Sequence, residues 1–247
     1  MEKFILCMTG VALAGAAAAI GCAVSTKNKA AIIPEGFTVT AHTGCEGTKD
    51  NSLEAIERGY KSGADIVEFD LHFNSDGEPV LAHDYSTSDS VKLEKAFELV
   101  RKCEGLRVNV DCKTTENLTA VVALAEKYGV KDRIFYTGIE VEKVESVKAQ
   151  TPEVAYYLNV AINKSKKNNE NYIRSLVKLV KDNGAVGINI NRKGAAKKMV
   201  DIFHEEGLYV SAWTVNKVLD MHKILALGCD NITTREPTKL MEIIKSK

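Results

Sequence analysis

Val67–Asp84, VEFDLHFNSDGEPVLAHD, is the stretch that decides how the rest is read. Val67 to Phe73 alternates as a strand, so Glu68 and Asp70, two residues apart, share a face. Two carboxylates side by side repel unless something cationic lies between them. Asn74-Ser75-Asp76-Gly77-Glu78-Pro79 is dense in turn formers. The chain then returns as Val80-Leu81-Ala82 and ends on His83 and Asp84. Such a hairpin carries His83 back beside Glu68 and Asp70. Two acids and an imidazole in one place are the makings of a hydrolytic metal site.

Upstream, Phe37–Ala41 reads as a strand ending at His42-Thr43-Gly44. Asn51–Ser62 reads as a helix, with Leu53, Ile56 and Tyr60 on its inner face and Asn51 and Glu54 as a capping box. Downstream, Val91–Cys103 is helical, with Leu93, Ala96, Phe97 and Val100 inward. Leu106–Lys113 (LRVNVDCK) alternates as a third strand ending on Asp111 and Lys113. The alternation continues through helix Thr115–Tyr128, strand Arg133–Tyr136, helix Glu140–Gln150 and strand Glu153–Val160. Helix Asn171–Asn183, strand Ala185–Ile190, helix Ala195–Glu206 and strand Leu208–Thr214 follow. Helix Val218–Leu227, strand Asn231–Thr234 and helix Glu236–Ile244 close it.

Eight strand–helix units in about two hundred residues predict an α/β fold, a closed (β/α)₈ TIM-type barrel. No glycine-rich dinucleotide turn follows the first strand. A barrel gathers its chemistry at the carboxyl ends of its strands, where His42, Glu68, Asp70, Asp111, Lys113 and Trp213 all fall.

The 247 residues carry 33 Lys and Arg against 33 Asp and Glu. A net charge of zero lacks the basic footprint of a nucleic-acid binder. Residues 1–24 stand apart: Phe4–Val24 is an unbroken apolar run with Lys3 before it and Lys27 and Lys29 after. It reads as a secretory signal, a membrane anchor, or a lipoprotein signal in which Ala19-Ile20-Gly21-Cys22 makes Cys22 the lipidated residue. Each places the working domain, residues 37–247, outside the cytoplasm, behind a linker over 25–36. Without a CxxC pair a structural zinc site has no support, and Cys112 and Cys229 read as buried free thiols.

Glu68, Asp70 and Asp111 are oxygen donors suited to a hard divalent cation, Mg²⁺ or Ca²⁺. His42 and His83 form a candidate acid–base pair, and Lys113 a fixed positive charge for an anionic group. A metal, a lysine and two imidazoles fit attack on a phosphodiester, whose transition state gathers negative charge on oxygen.

From Phe37 onward the chain resembles the glycerophosphodiester phosphodiesterase family, a (β/α)₈ branch of the phosphatidylinositol phospholipase C-like superfamily. The family's His-Arg-Gly and Glu-Asn-Thr appear as His42-Thr43-Gly44 and Asp50-Asn51-Ser52. Its Glu-x-Asp strand and Gly-x-Pro-Val-x-x-His-Asp hairpin appear as Glu68-Phe69-Asp70 and Gly77-Glu78-Pro79-Val80-Leu81-Ala82-His83-Asp84. Trp213-Thr214-Val215-Asn216 and Gly228–Thr234 match the closing strands. The resemblance implies hydrolysis of glycerophosphodiesters to sn-glycerol 3-phosphate and an alcohol, the glycerol hydroxyl attacking phosphorus to give a cyclic phosphate that water opens. It implies His42 and His83 as the catalytic pair and a metal on Glu68, Asp70 and Asp111. Lys113, Trp213 and Thr43 would face the substrate, with Asp50, Asn51 and Asp84 behind them.

There are departures. The family's arginine after the first histidine, a phosphate contact, is Thr43, whose hydroxyl cannot replace a bidentate fork. Two acids are shortened, to Asp50 and Asp111. The Asp111-x-Lys113 pair also occurs in the related sphingomyelinase D enzymes, and only about twenty residues separate Asp84 from the third strand. A phospholipase D-like activity on phospholipids, or a barrel that binds phosphoesters without turnover, are the alternative expectations.

Overall fold

The computed structural model describes residues 33–246. The expected N-terminal signal or anchor segment, including Cys22, lies outside them. Eight parallel strands form the barrel: β1 (Thr38–Ala41), β2 (Ile66–Phe73), β5 (Arg107–Cys112), β6 (Ile134–Ile139), β7 (Tyr156–Asn159), β8 (Gly187–Asn191), β9 (Tyr209–Trp213) and β10 (Asn231–Thr234). They pair in the order β1-β10-β9-β8-β7-β6-β5-β2, and β1 pairs with β2 to close the ring. The short strands β3 (Pro79–Leu81) and β4 (Val91–Lys92) extend β2 outward as an antiparallel flap, with Leu71 opposite Leu81. One helix follows each barrel unit: α1 (Leu53–Lys61), α2 (Leu93–Arg101), α3 (Leu118–Lys127), α4 (Val144–Gln150), α5 (Glu170–Asn183), α6 (Lys197–Glu205), α7 (Val218–Leu227) and α8 (Pro237–Lys245).

Period-two alternation sorts each strand into two faces. Val67, Phe69 and Leu71 on β2, Val108 and Val110 on β5, Ile188 and Ile190 on β8 and Val210 and Ala212 on β9 point outward and are buried. They pack under helix residues such as Ile56, Phe97, Val121, Ile173 and Phe203, so the main apolar core lies between sheet and helices. Burying these side chains is worth roughly 1.5–3 kcal/mol each.

The lumen is different. Neighbouring strands hold Asn159, Asn189, Ser211 and Asn231 in one register level. Thr40, Asn109, Thr137 and Thr233 are likewise buried polar residues of the inward face. Several bond to one another: Asn231 Nδ2 donates to Thr40 Oγ1 at 2.8 Å, Ser211 Oγ to Asn231 Oδ1 at 3.1 Å and Asn189 Nδ2 to Asn159 Oδ1 at 3.0 Å. The opposite end is stoppered by Arg107 over the Phe135 ring at 5.2 Å and by Phe135 edge-on to Tyr157.

Three local expectations are corrected. The cap of α1 is Ser52, whose Oγ accepts the Ala55 N–H; Asn51 is drawn away by Thr43 and Asp70 into a left-handed φ of 56°. Tyr60 is 38 % exposed, and Gly59 takes the inner position because its Cα approaches Val67 and Ala41 too closely for a side chain. Val91 and Lys92 pair with β3 rather than opening α2. Cys45, Cys103, Cys112 and Cys229 are buried free thiols. Among the described residues no helix is long and apolar enough to cross a membrane.

Candidate active site

Parallel register sets the acids side by side. β2 and β5 align Glu68 with Asn109 and Asp70 with Asp111, and β6 adds Thr137 beside Asp111. One carboxylate oxygen from each of Glu68, Asp70 and Asp111 lies within 4.8 Å of the others. Glu68 and Asp70 are only 6 % and 3 % exposed. Burial, together with the charges of Asp70 and Asp111, pushes the Glu68 carboxyl well above the usual carboxylate range. This is a site that wants positive charge.

Lys113 supplies some of it. Its Nζ lies 2.9 Å from Asp70 Oδ1 and 2.5 Å from Asp111 Oδ2. Burial alone would lower the Lys113 pKa, but Asp111 and Asp70 outweigh it and raise the value above normal. Thr137 Oγ1 sits 2.7 Å from Asp111 Oδ1, fixing that carboxylate from the far side. Asn51 reads Asp70 twice, donating Nδ2 to Oδ2 at 2.8 Å and accepting the Asp70 N–H on Oδ1 at 3.0 Å.

The turn after β1 contributes the next layer. Thr43 N–H donates to Glu68 Oε2 at 2.8 Å, and its hydroxyl accepts the Asn51 N–H. Thr43 borders the cavity, with its buried side chain bonded to Asn51. His42 Nδ1 lies 2.8 Å from Thr43 O, and since a carbonyl can only accept, Nδ1 carries the proton and Nε2 the lone pair. Burial, and after it the charge of Arg235, lowers the His42 pKa, although the Thr43 carbonyl pulls the other way.

His83 stands at the end of the β2–β3 hairpin, with its side chain 65 % exposed and its Nδ1 2.7 Å from Asp84 Oδ1. It is thus a rim residue and not a buried neighbour of the acids. His42, His83, the three carboxylates, Lys113 and Trp213 all border one cavity of about 630 Å³ at the carboxyl ends of the strands.

A match to the Glycerophosphoryl diester phosphodiesterase family covers residues 41–118 and 91–239, nearly the whole barrel and every residue of this cavity. The chain belongs to that family. As a member it is a phosphoric diester hydrolase. It is 21 % identical over 239 residues to the glycerophosphodiester phosphodiesterase of Caldanaerobacter subterraneus subsp. tengcongensis, a match spanning 84 % of this chain and 97 % of that one. A 64-residue segment is 44 % identical to glycerophosphodiester phosphodiesterase 1 of Rattus norvegicus, covering 24 % of this chain and 19 % of the rat protein. Among solved structures, a glycerophosphodiester phosphodiesterase of Parabacteroides distasonis shares the fold with a TM-score of 0.69, 21 % identity and coverage of 85 % and 97 %. A phosphodiesterase of Oleispira antarctica, in complex with the product sn-glycerol-3-phosphate, does so with a TM-score of 0.70, 20 % identity and coverage of 86 % and 97 %.

Polar residues of this family member's cavity that escape a reading of motifs include Thr137, Lys143, Asn189 and Arg235. Thr137 lies one residue beyond the predicted end of its strand, which runs on to Ile139. Arg235 follows the last barrel strand directly, the same position that drew attention to Lys113 after β5. Its Nη2 lies 2.9 Å from Asp50 Oδ1, and the pair closes over Gly44, where φ is +69°. An ideal Cβ on Gly44 would fall 2.0 Å from Asp50 Oδ1 and 2.8 Å from Arg235 Nη1. Gly44→Ala is therefore expected to cost about 1 kcal/mol or more, through the left-handed φ and the parting of that ion pair. A lowered urea midpoint at unchanged m-value checks it.

Proposed function

We propose that the chain hydrolyses glycerophosphodiesters to sn-glycerol 3-phosphate and an alcohol, using His42 and His83 for proton transfer and a divalent cation, Mg²⁺ or Ca²⁺, on Glu68, Asp70 and Asp111. The observation that carries this is the meeting of three carboxylates and two imidazoles, drawn from three strand ends and a hairpin, at one cavity. Three oxygens within 4.8 Å of one another, with no thiolate or imidazole among them, fit a hard cation. When bound, the cation would supply Lewis-acid stabilisation of charge on the phosphoryl oxygens.

The protein's own groups divide the proton work by environment. His42, its Nδ1–H tied to Thr43 O and its pKa lowered by burial, presents a neutral Nε2 that takes the proton of the attacking hydroxyl. His83 points Nδ1–H at Asp84, which fixes the ring and leaves its other nitrogen to serve the leaving alkoxide. Lys113 holds Asp70 and Asp111 in place and keeps a positive charge at the floor of the site. Trp213, 36 % exposed, forms a wall against which the glycerol or alcohol moiety rests.

Residues 4–24 support a further part of the reading, that the barrel works outside the cytoplasm, released or held at a membrane by its N-terminal segment. A phospholipase D-like action on lysophospholipids or sphingomyelin is the second reading. It is favoured by the short, exposed link from His83 through Tyr85 to β4, which leaves that side of the cavity open.

Release of sn-glycerol 3-phosphate from glycerophosphocholine is expected in Mg²⁺ or Ca²⁺ and is expected to disappear in EDTA. An absence of metal-dependent turnover on every glycerophosphodiester tried would sink the first reading. Free choline from lysophosphatidylcholine, with no glycerol 3-phosphate from glycerophosphocholine, would establish the second.

A further inference from the structure

Three cationic side chains border the cavity, and two are already committed. Lys113 spans Asp70 and Asp111. Lys143 spends its ammonium on Glu140 at 2.9 Å, Cys112 O at 2.9 Å and Gly138 O at 2.8 Å. Arg235 is the exception. A guanidinium has five N–H donors, and among the described residues the side chain of Arg235 meets one acceptor, Asp50 Oδ1.

Its placement is also built. The Arg235 backbone is held on both sides, its N–H by Asn216 Oδ1 at 2.9 Å and its carbonyl by the Glu46 N–H at 2.9 Å. The guanidinium lies over Gly44, where the missing Cβ makes room for it, and its charge is felt at His42 two residues away. Thr43 offers no competing donor, because its hydroxyl is engaged with Asn51.

We propose that Arg235 is the phosphate-binding guanidinium of this site, reaching in from the end of β10 to hold the two non-bridging oxygens of the phosphodiester beside His42, with Asp50 as its positioning residue. The proposal rests on the phosphodiesterase reading and deepens it: the cationic fork absent from position 43 is supplied from the other end of the chain. A planar fork pinned at one edge loses little freedom when its other donors meet a phosphate. Charge on those oxygens grows as the hydroxyl attacks, so the contact strengthens toward the transition state.

The test uses the full chain with Mg²⁺ and two readouts. By calorimetry, Arg235→Ala is expected to weaken sn-glycerol 3-phosphate binding about 10–100-fold, while Mg²⁺ affinity stays within about twofold of wild type, since Arg235 touches none of the three carboxylates. Arg235→Lys recovers only part, because an ammonium cannot present two parallel donors. With glycerophosphocholine, Arg235→Ala lowers kcat more than it raises KM, and guanidinium ion at non-denaturing concentration restores part of the loss. Glycerol 3-phosphate affinity within twofold of wild type in Arg235→Ala, or equal rescue by guanidinium and by sodium, overturns the proposal. A wild-type chain that binds glycerol 3-phosphate through Arg235 yet cleaves no diester would overturn the phosphodiesterase reading and leave this assignment standing.

Discussion

Replacing His42 by alanine is expected to lower kcat on glycerophosphocholine by about 10²–10⁴-fold while leaving sn-glycerol 3-phosphate affinity within a few-fold of wild type. The size follows from what the imidazole does. Its Nδ1–H is spent on Thr43 O at 2.8 Å, so Nε2 alone faces the reaction and no neighbouring group can take its place as base. Asp84 is too far toward solvent, and the three carboxylates are turned to one another and to Lys113. His83→Ala should cost a similar factor, because an alkoxide leaving without a proton is a poor leaving group. The two losses should not multiply if, as proposed, one transition state uses both groups. Asp84→Asn keeps the hairpin and removes only the charge opposite His83 Nδ1, so about a tenfold loss is expected there. Single-turnover rates of these three variants and of the His42→Ala/His83→Ala double variant at saturating metal would check this. A His42→Ala chain that cleaves within tenfold of wild type would remove His42 from the proton pathway.

The ring of strands was legible because each barrel strand carries its own evidence, an apolar alternation closed by a turn, and eight of them leave little choice of architecture. Gly184 and Gly228 marked the ends of α5 and α7, and both adopt the left-handed cap conformation there. The rule that barrel chemistry collects at strand ends also picked out His42, Asp111 and Lys113, and these do border one cavity. Local pattern could not tell which of several polar residues near a strand end would be claimed by another segment. Asn51 and Ser52 both look like helix caps; only the approach of Asp70 from β2 decides that Asn51 leaves the helix and Ser52 stays. Thr137 and Asn109 gain meaning only when β5 and β6 are set in register. Arg235 was passed over because its partner Asp50 is 185 positions earlier in the chain, a separation no motif spans. The polar lumen was hidden for a related reason. A lone Asn or Thr within an apolar strand looks like a blemish until its neighbours across the barrel prove to be Asn, Ser and Thr as well.

Glu68→Gln separates what the acids do for function from what they do to the fold. In metal-free protein the substitution is expected to raise the Tm by about 2–4 °C, the equivalent of roughly 1 kcal/mol in a chain of this size. Gln keeps an oxygen for the Thr43 N–H while removing one of three charges that repel across 4.8 Å. Since burial and then Asp70 and Asp111 raise the Glu68 pKa, its contribution to stability is complete below the ordinary carboxylate pKa and is lost as pH climbs through the raised value. The Tm advantage of the variant over metal-free wild type should therefore widen as pH rises above the ordinary carboxylate range. Metal reverses the order. A cation at 100 times its Kd stabilises a folded site by about 2.7 kcal/mol, and the variant, short of one anionic ligand, should show little of that gain. Loss of groups that merely orient metal ligands costs 10–100-fold, so loss of a ligand should cost turnover at least about 100-fold. Calorimetric melts with EDTA or Mg²⁺ at several pH values, beside the turnover assay, test all three parts. Equal stabilisation of wild type and variant by Mg²⁺ would place the cation elsewhere. A Tm that falls on substitution would mean that Glu68 supports the barrel rather than straining it.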